Sequence, residues 1–332
     1  MVRRTVSAVA RLYVFVVGLA GVLLLMGLLS SPAFAQVSSG KPIRIIIPFG
    51  PAGSADVIAR ILQQPLGQAL KQNIIIENRP GAGSNLGTAA VAHAEPDGST
   101  LLITTSAFVA NPGLYKNLPY DPVKDFAPVM LISKLGFVVA VDGKNPVNSI
   151  AELTAALKKK PGHGAYGTGA NTGIIAAELY KVRAGLESNQ VLYKGIYENL
   201  LDLYGGQIDF ATLDPTAAFE PIRTGKLKAL AVTSATRLGS FPSVPTMQEA
   251  GIADYDISPW IGLVVPAGTP QLVVDKLAAW HRQINATEDA KKTLLQFGMD
   301  PLEGDGAAMT ALLKRDIVRW GEFAKLAKIE PQ

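Results

Sequence analysis

Most of this sequence predicts an α/β protein, because short apolar runs alternate with helical runs along its 332 residues. The short runs are apolar at successive positions, as in strands of a sheet that helices cover on both faces. Turns rich in Gly, Pro, Ser and Asn separate the runs, and no internal repeat is present. The predicted strands cover residues 43–47, 73–77, 100–104, 129–132, 137–141, 165–167, 190–193, 210–213, 229–233 and 261–265.

Apolar residues at helical spacing predict helices between these strands. One helix covers residues 57–70, where Pro65 is expected to kink or interrupt it. Ser149 and Glu152 form a capping box, which predicts that a second helix begins there. Thr246 and Glu249 form another capping box and predict a further short helix.

Two proline-containing segments divide the predicted elements into two lobes. Residues 145–148 and 255–259 look like hinge-type connections. They predict a first lobe over residues 36–142 plus 258–332 and a second lobe over residues 143–257. Two such lobes would leave a cleft between them, and clefts between domains are common small-molecule sites.

The first 35 residues have the pattern of an export signal. Arg3, Arg4 and Arg11 accompany an uncharged apolar run over residues 12–29, and Ala33-Phe34-Ala35 fits a signal peptidase site. We expect cleavage after Ala35, with an uncleaved membrane anchor as the alternative, because the run is about long enough to span a bilayer. These residues contain three arginines and no acidic residue, so cleavage lowers the formal net charge from +4 to +1.

Several function classes find no support in the residues. A near-neutral mature chain gives no reason to expect a nucleic-acid partner. The absence of cysteine excludes disulfides, thiol catalysis and cysteine metal sites. The three histidines are scattered, and no metal-ligand spacing, nucleophile elbow or phosphate-loop motif occurs. We therefore predict no catalytic residues, no metal and no cofactor; a periplasmic enzyme remains the less favoured alternative.

The loop at residues 48–56 is the first candidate for ligand contact. It joins an apolar strand to a helix, so unpaired backbone N–H groups and the positive end of a helix dipole meet there. This arrangement favours a carboxylate or a similar anion. Asp56, the acidic residue in the first turn of the predicted helix, is either a cap or a ligand contact. The candidate ligand-binding residues in this loop are Phe49, Pro51, Ala52, Gly53, Ser54, Ala55 and Asp56.

Further polar loops follow other predicted strands, and the carboxyl ends of strands form the binding edge of an α/β sheet. The glycines at 167, 169 and 173 do not have dinucleotide-fingerprint spacing. Asp214 is either a turn residue or a ligand contact, and Trp260 either packs in the core or lines the cleft. The candidates in these regions are Asn85, Ser106, Thr168, Ala170, Asn171, Thr172, Asp214 and Trp260.

Short motifs follow one another in order from Lys41 to Lys328. They lie at residues 41–44, 48–56, 77–83, 96–98, 118–126, 193–195, 205–209, 225–227, 244–246, 249–251, 260–263 and 266–270. This ordered set resembles the Bug family, the TctC-like periplasmic substrate-binding receptors of tripartite tricarboxylate transporters. The resemblance covers nearly the whole chain after the predicted signal.

The resemblance implies a two-lobed periplasmic binding protein of type II, which closes on its ligand like a flytrap. It implies that the backbone of residues 48–56 holds a ligand carboxylate, often through waters. It also implies that residues 167–173 contact the distal end of the ligand, which is the end away from that carboxylate. The sequence departs from the family pattern at Ala52, where Gly is common, and at Ala170, Asn171 and Ile174, where a Gly-Ser/Thr pair and a His are common. We therefore hypothesise that the distal group of the ligand is less polar than that of a small dicarboxylate.

The expected function is capture of an organic carboxylate in the periplasm for membrane permease subunits, by a protein that is a monomer. A receptor that presents its ligand to a signalling partner is the alternative, because its binding half would look the same.

Overall fold

The computed structural model describes residues 41–169, 171–193 and 196–332. The predicted signal at 1–35 and the predicted site residue Ala170 lie outside them. Within these ranges the strands are β1 Ile43–Ile47, β2 Ile74–Asn78, β3 Thr100–Thr105, β4 Phe126–Lys134, β5 Val138–Asp142, β6 Ala165–Thr168, β7 Asn189–Leu192, β8 Phe210–Leu213, β9 Leu227–Val232, β10 Trp260–Pro266 and β11 Asp300–Asp305. Each predicted strand is confirmed, and β11 is an addition.

The helices of the described ranges lie between these strands or, for the last one, after β11. They are α1 Ser54–Leu70, α2 Asn85–Ala92, α3 Ala107–Ala110, α4 Ile150–Lys158, α5 Asn171–Ala184, α6 Ile196–Tyr204, α7 Pro215–Arg223, α8 Gln271–Asn285, α9 Glu288–Gln296 and α10 Gly306–Leu326. Short 3₁₀ turns cover Ala82–Ser84, Asn111–Gly113 and Pro161–His163. No helix in the part of the chain that the structure describes is long and apolar enough to cross a membrane.

Two mixed sheets confirm the predicted α/β class and define the two lobes. The first lobe holds a six-stranded sheet in the order β11-β4-β10-β3-β1-β2, and the second lobe holds a five-stranded sheet in the order β7-β6-β8-β5-β9. Strands β1, β2 and β3 are parallel, as are β6, β7 and β8, whereas β10 and β5 run antiparallel to their neighbours. The loops that follow the parallel strands therefore lie at one edge of each sheet.

The chain passes between the sheets at two places that lie side by side. It leaves the first sheet after β4 and returns through residues 257–259, where the Leu135 N–H donates to the Pro259 carbonyl at 2.8 Å and the Ile257 N–H donates to the Thr233 carbonyl at 2.8 Å. Since β5 pairs with β8 and β9, it belongs to the second sheet. This pairing puts the first crossing before residue 138, whereas the sequence placed it after residue 142.

Local signals were read correctly at some helix starts and not at others. Ser149 accepts from the Glu152 N–H at 3.2 Å, which confirms that capping box. Thr246 and Glu249 also bond reciprocally at 3.1 and 2.8 Å, but the chain forms only a turn there. Helix α1 continues through Pro65 without interruption, because a buried apolar face including Leu62 and Leu66 holds it against the sheet.

A buried histidine stands out in the first lobe. His281 on α8 is 1% exposed, and neither of its ring nitrogens has a partner among the described residues. Burial lowers the pKa of His281 to about 4, because the charged imidazolium cannot be solvated there. The folded protein thus holds a neutral ring that the unfolded chain would protonate at a higher pH.

His281 makes stability depend on pH in a predictable direction. Because the folded pKa lies below the unfolded value, the unfolded state binds more protons as pH falls, and stability is lost from about pH 6.5 downward. The wild type should lose about 2 kcal/mol through this residue between about pH 7 and about pH 5. Urea unfolding of His281→Leu at both pH values should show a shallower loss. Equal pH slopes in the two proteins would contradict the role of His281.

Candidate functional site

The loop at residues 48–56 joins β1 to α1 as the sequence predicts. Gly53 is the N-cap of α1 and supplies no side-chain hydrogen bond, so the first helical turn from Ser54 lacks a local cap. The first N–H groups of a helix have no partners within it, and the helix dipole is positive there. Pro51 is exposed, Phe49, Ala52 and Gly53 are half-buried, and Ser54, Ala55 and Asp56 are buried.

The Asp56 carboxylate fixes this loop from inside. It accepts from the Ala52 N–H at 2.9 Å, from Arg60 at 2.9 and 3.1 Å, and from the Asn78 amide at 3.0 Å. Burial raises the pKa of Asp56, but these hydrogen bonds and the charge of Arg60 outweigh it and hold the pKa below its usual value. The sequence left open whether Asp56 is a cap or a ligand contact. These contacts favour a structural role, in which its carboxylate binds protein donors, over direct contact with a ligand.

Two further features hold the loop in shape. Ala52 has a φ of 68°, in the left-handed region that favours glycine. The Asn78 amide also donates to the Phe49 carbonyl at 3.1 Å. Asn78 therefore ties the end of β2 to both ends of the loop.

The loop after β2 lies directly against the loop at 48–56. A Cβ atom on Gly87 would lie 2.8 Å from Cα of Pro48, so only glycine allows this approach. Asn85 is buried, and its Oδ1 accepts from Asn111 at 2.7 Å and from the Tyr120 hydroxyl at 3.0 Å. The structure thus gives the Oδ1 atom of Asn85 a structural role within the first lobe.

The loop after β6 brings the second lobe against the first. The Asn171 amide donates to Oδ1 of Asn111 at 3.1 Å and to the Tyr115 hydroxyl at 3.3 Å. Thr168 and Thr172 are buried. A Cβ atom on Gly173 would lie 2.4 Å from Oγ1 of Thr168, so this turn packs tightly. Asn171 therefore bridges the lobes.

Asp214 makes a second bridge between the lobes. The Ser54 hydroxyl donates to its Oδ1 at 2.5 Å, and the Thr216 N–H donates to the same atom at 2.9 Å. The Ser54 and Thr216 hydroxyls lie 2.6 Å apart. Burial raises the pKa of Asp214 against the lowering effect of these hydrogen bonds. Asp214 therefore caps its own helix, α7, and also accepts hydrogen bonds from Ser54 at the start of α1, where Gly53 supplies no cap of its own.

Ser106 and Trp260 are brought together, but in the core. The Trp260 N–H donates to Oγ of Ser106 at 2.9 Å, and the indole N–H donates to Asp316 at 2.8 Å. Trp260 is 2% exposed and belongs to the main hydrophobic cluster. The position of Trp260 agrees with packing in the core, which was one of its two predicted roles. The hydroxyl oxygen of Ser106 is occupied by the Trp260 N–H.

The structure adds four residues to the site that the sequence did not single out. Asn78 anchors the loop at 48–56, Asn111 and Tyr115 receive Asn171, and Thr216 shares the contact of Ser54 with Asp214. Only Asn78 had a sequence signal, because it begins the polar loop after β2. No group of three or more His, Asp or Glu side chains that could hold a metal occurs within the described ranges.

Two α/β lobes that meet through the loops after their parallel strands define a two-lobed solute-binding protein. The sequence model of a family described as a tripartite tricarboxylate transporter family receptor matches residues 58–328, so the chain belongs to this TctC family. Protein BugT of Bordetella pertussis is 33% identical over 299 residues, covering 88% of this chain and 91% of BugT.

Solved structures agree with this assignment. Rpa4515 of R. palustris with adipate has a TM-score of 0.83 and 30% identity, with 88% of this chain and 98% of that chain covered. The periplasmic binding protein BugD has a TM-score of 0.82 and 31% identity, with 89% and 100% covered. They confirm the two-lobed fold and the family resemblance, and the matched family is described as a receptor rather than an enzyme.

Loss of the Asp56 carboxylate should loosen the loop at 48–56. Asp56→Ala removes the acceptor of the Ala52 N–H and one of the two acceptors of the Asn78 amide, and we expect the free energy of unfolding to fall by about 2 kcal/mol. Arg60→Ala removes only the more exposed ion-pair partner and should cost less than about 1 kcal/mol. Urea unfolding measures both variants. Equal losses would mean that the ion pair, and not the anchoring of the loop, is what Asp56 contributes.

Removal of Asp214 should open the ligand-free protein. Asp214→Ala breaks the contact with Ser54 and removes the cap of α7, which should also cost about 1 kcal/mol of stability. Small-angle X-ray scattering should show a larger radius of gyration than for the wild type. Ser149→Ala is the matched control, because it removes a cap in the same lobe without an inter-lobe contact. An unchanged radius in Asp214→Ala would contradict the bridge.

Proposed function

We propose that this protein is an exported periplasmic receptor that binds an organic carboxylate between its lobes and delivers it to membrane permease subunits. The observation that carries the proposal is the start of α1. Its first turn has no local side-chain cap, it lies in a loop fixed by Asp56, and it faces the second lobe across Ser54. Such a helix start is suited to a carboxylate.

Family membership supports the same assignment from another direction. The family is described as a receptor of a tripartite tricarboxylate transporter, and the similar Rpa4515 was solved with adipate, which is a dicarboxylate. We extend this ligand class to the present chain. Export rests on the signal-like residues 1–35.

The ligand carboxylate would be held by backbone N–H groups around Gly53 and Ala55, beside the Asp214 carboxylate that already accepts from Ser54. Charge-assisted hydrogen bonds of this kind contribute about 1.5–3 kcal/mol each. Micromolar binding needs about 8 kcal/mol in total. Contacts with the side chains that line the site, and the exclusion of water from it, must therefore contribute the remaining binding free energy. Closure would turn about the two adjacent crossings at 135–137 and 257–259, and the closed form is what a permease would recognise.

Isothermal titration calorimetry tests the ligand class. The purified mature protein should bind at least one acid from a panel of C4 to C6 dicarboxylates and of aromatic and branched monocarboxylates, with the corresponding uncharged amides as controls. Binding of an amide as tight as binding of its acid would overturn the carboxylate assignment, as would no binding by any acid.

Bulk at Gly53 should block the carboxylate without disturbing the fold. Gly53 has a φ of −83°, and a Cβ atom there meets nothing within 4 Å, so a side chain fits the free protein. We expect Gly53→Phe to weaken binding of the tightest acid in the panel by more than about tenfold, which is about 1.4 kcal/mol. Gly53→Ala should have a smaller effect, and both variants should melt like the wild type. Unchanged affinity in a folded Gly53→Phe would remove this loop from the site.

A further inference from the structure

The start of α1, where the proposed function puts the ligand carboxylate, already has a carboxylate of the protein beside it. Asp214 comes from the second lobe, directly after β8, and its Oδ1 accepts from the Ser54 hydroxyl at 2.5 Å. Asp214 is half-buried, so part of its surface remains accessible. A ligand carboxylate bound by the N–H groups around Gly53 and Ala55 would therefore lie within a few ångströms of a second negative charge.

Two hydroxyl groups form a chain that ends on Asp214. A serine hydroxyl has a single proton, and Ser54 donates it to Asp214. The Thr216 hydroxyl lies 2.6 Å from the Ser54 hydroxyl, so it is the donor of that pair. The Thr216 N–H also donates to Asp214, at 2.9 Å. The donors around this point are therefore directed at the protein's own carboxylate, and a ligand carboxylate would have to replace Asp214 as the acceptor from Ser54.

The charges at this junction do not favour a further anion. Asp56 and Arg60 form an ion pair, so their formal charges cancel. The partners of Asp214 among the described residues are the hydroxyl and N–H groups of α1 and α7, not a Lys or Arg side chain. Burial raises the pKa of Asp214 for this reason. A second carboxylate placed beside it would be repelled more strongly than in water, because less solvent screens the two charges.

The start of α7 is also held against the first lobe at a second point. A Cβ atom on Gly298 would lie 2.8 Å from the Pro215 carbonyl oxygen, and Gly298 has a φ of 77°, so this approach requires glycine. The backbone next to Asp214 is therefore kept close to the first lobe. When a ligand carboxylate binds, the Asp214 side chain must either turn away from Ser54 or remain beside a like charge.

We propose that Asp214 competes with the ligand carboxylate for the start of α1 and thereby limits the affinity of the receptor for acids. The inference rests on the proposed function and gives Asp214 a role in selectivity in addition to its contact between the lobes. A small acid that offers only its carboxylate is disfavoured by this competition. A larger acid can overcome it, because its remaining atoms contribute further contacts.

Isothermal titration calorimetry at about pH 8, well above the ordinary pKa range of carboxyl groups, tests the proposal. The probes are succinate, adipate and benzoate, each with the corresponding amide. Asp214→Asn keeps an Oδ1 acceptor for Ser54 and keeps an N-cap residue on α7. We expect it to bind the acids at least about tenfold more tightly than the wild type, which is about 1.4 kcal/mol, and to change amide binding by less than about threefold. Asp214→Ser, also an uncharged N-cap residue, should tighten acid binding in the same direction.

Asp209→Asn is the matched control, because it removes a negative charge from the other end of the same strand. Asp209 and Asp214 flank the four residues of β8 and so lie about 17 Å apart, which is more than a Debye length. Asp209→Asn should therefore keep the wild-type affinity for the acids.

The outcomes separate this inference from the proposed function. Unchanged or weaker acid binding in folded Asp214→Asn and Asp214→Ser overturns the competition. Equal tightening for acids and amides also overturns it, because that result would reflect looser lobes and not charge. If acids bind the wild type and both variants alike, the proposed function stands and this inference alone falls. If no acid binds any of these proteins, both fall.

Discussion

The shape of the candidate site depends on one buried carboxylate, that of Asp56. Its four hydrogen bonds gather the Ala52 N–H, Arg60 and Asn78 around a single point below the loop at 48–56. A loop that turns through a left-handed alanine is strained by about 1 kcal/mol relative to glycine and needs such support. Because the Asp56 carboxylate is engaged inside the protein, the charge that faces the start of α1 from outside the loop is that of Asp214.

The bridge between Ser54 and Asp214 gives the lobe contact an electrostatic character. The starts of α1 and α7 both point at one protein carboxylate, so the two helix dipoles stabilise the same negative charge. A ligand carboxylate would bind next to this charge, and closure must balance attraction to the helix start against repulsion from Asp214. If the proposed site is correct, ligand affinity and lobe closure would therefore be coupled through the same few atoms.

The sequence could predict those features whose determinants lie close together along the chain. Apolar runs and Gly/Pro turns are local, so the strands and the loop at 48–56 were read correctly. Strand β11 was missed because it is a polar edge strand whose burial alternates, which separates it poorly from a loop. The contact of Ser54 with Asp214 joins residues 160 apart, and no local pattern encodes such a pairing.

Other differences arise where a local rule meets tertiary packing. The capping box at Thr246 and Glu249 forms, but a single turn satisfies it and no helix follows. Pro65 lies within α1 because apolar burial outweighs the loss of one hydrogen bond. The sequence marked Trp260 as large and near a crossing, but whether it faces a cleft or the core depends on β10 pairing with both β3 and β4.

The position of β10 in the first sheet determines when that lobe can fold. Strand β10 lies between β3 and β4, so the strands made first are joined to β4 and β11 only through residues 260–266. The second lobe has all five of its strands before residue 233 and contains its own pairings. The sheet of the first lobe is therefore completed only by a strand late in the chain, whereas the sheet of the second lobe needs no strand after Val232. The pairing of β3 and β4 through β10 joins segments far apart in the sequence, and such long-range pairing is a topology that slows folding.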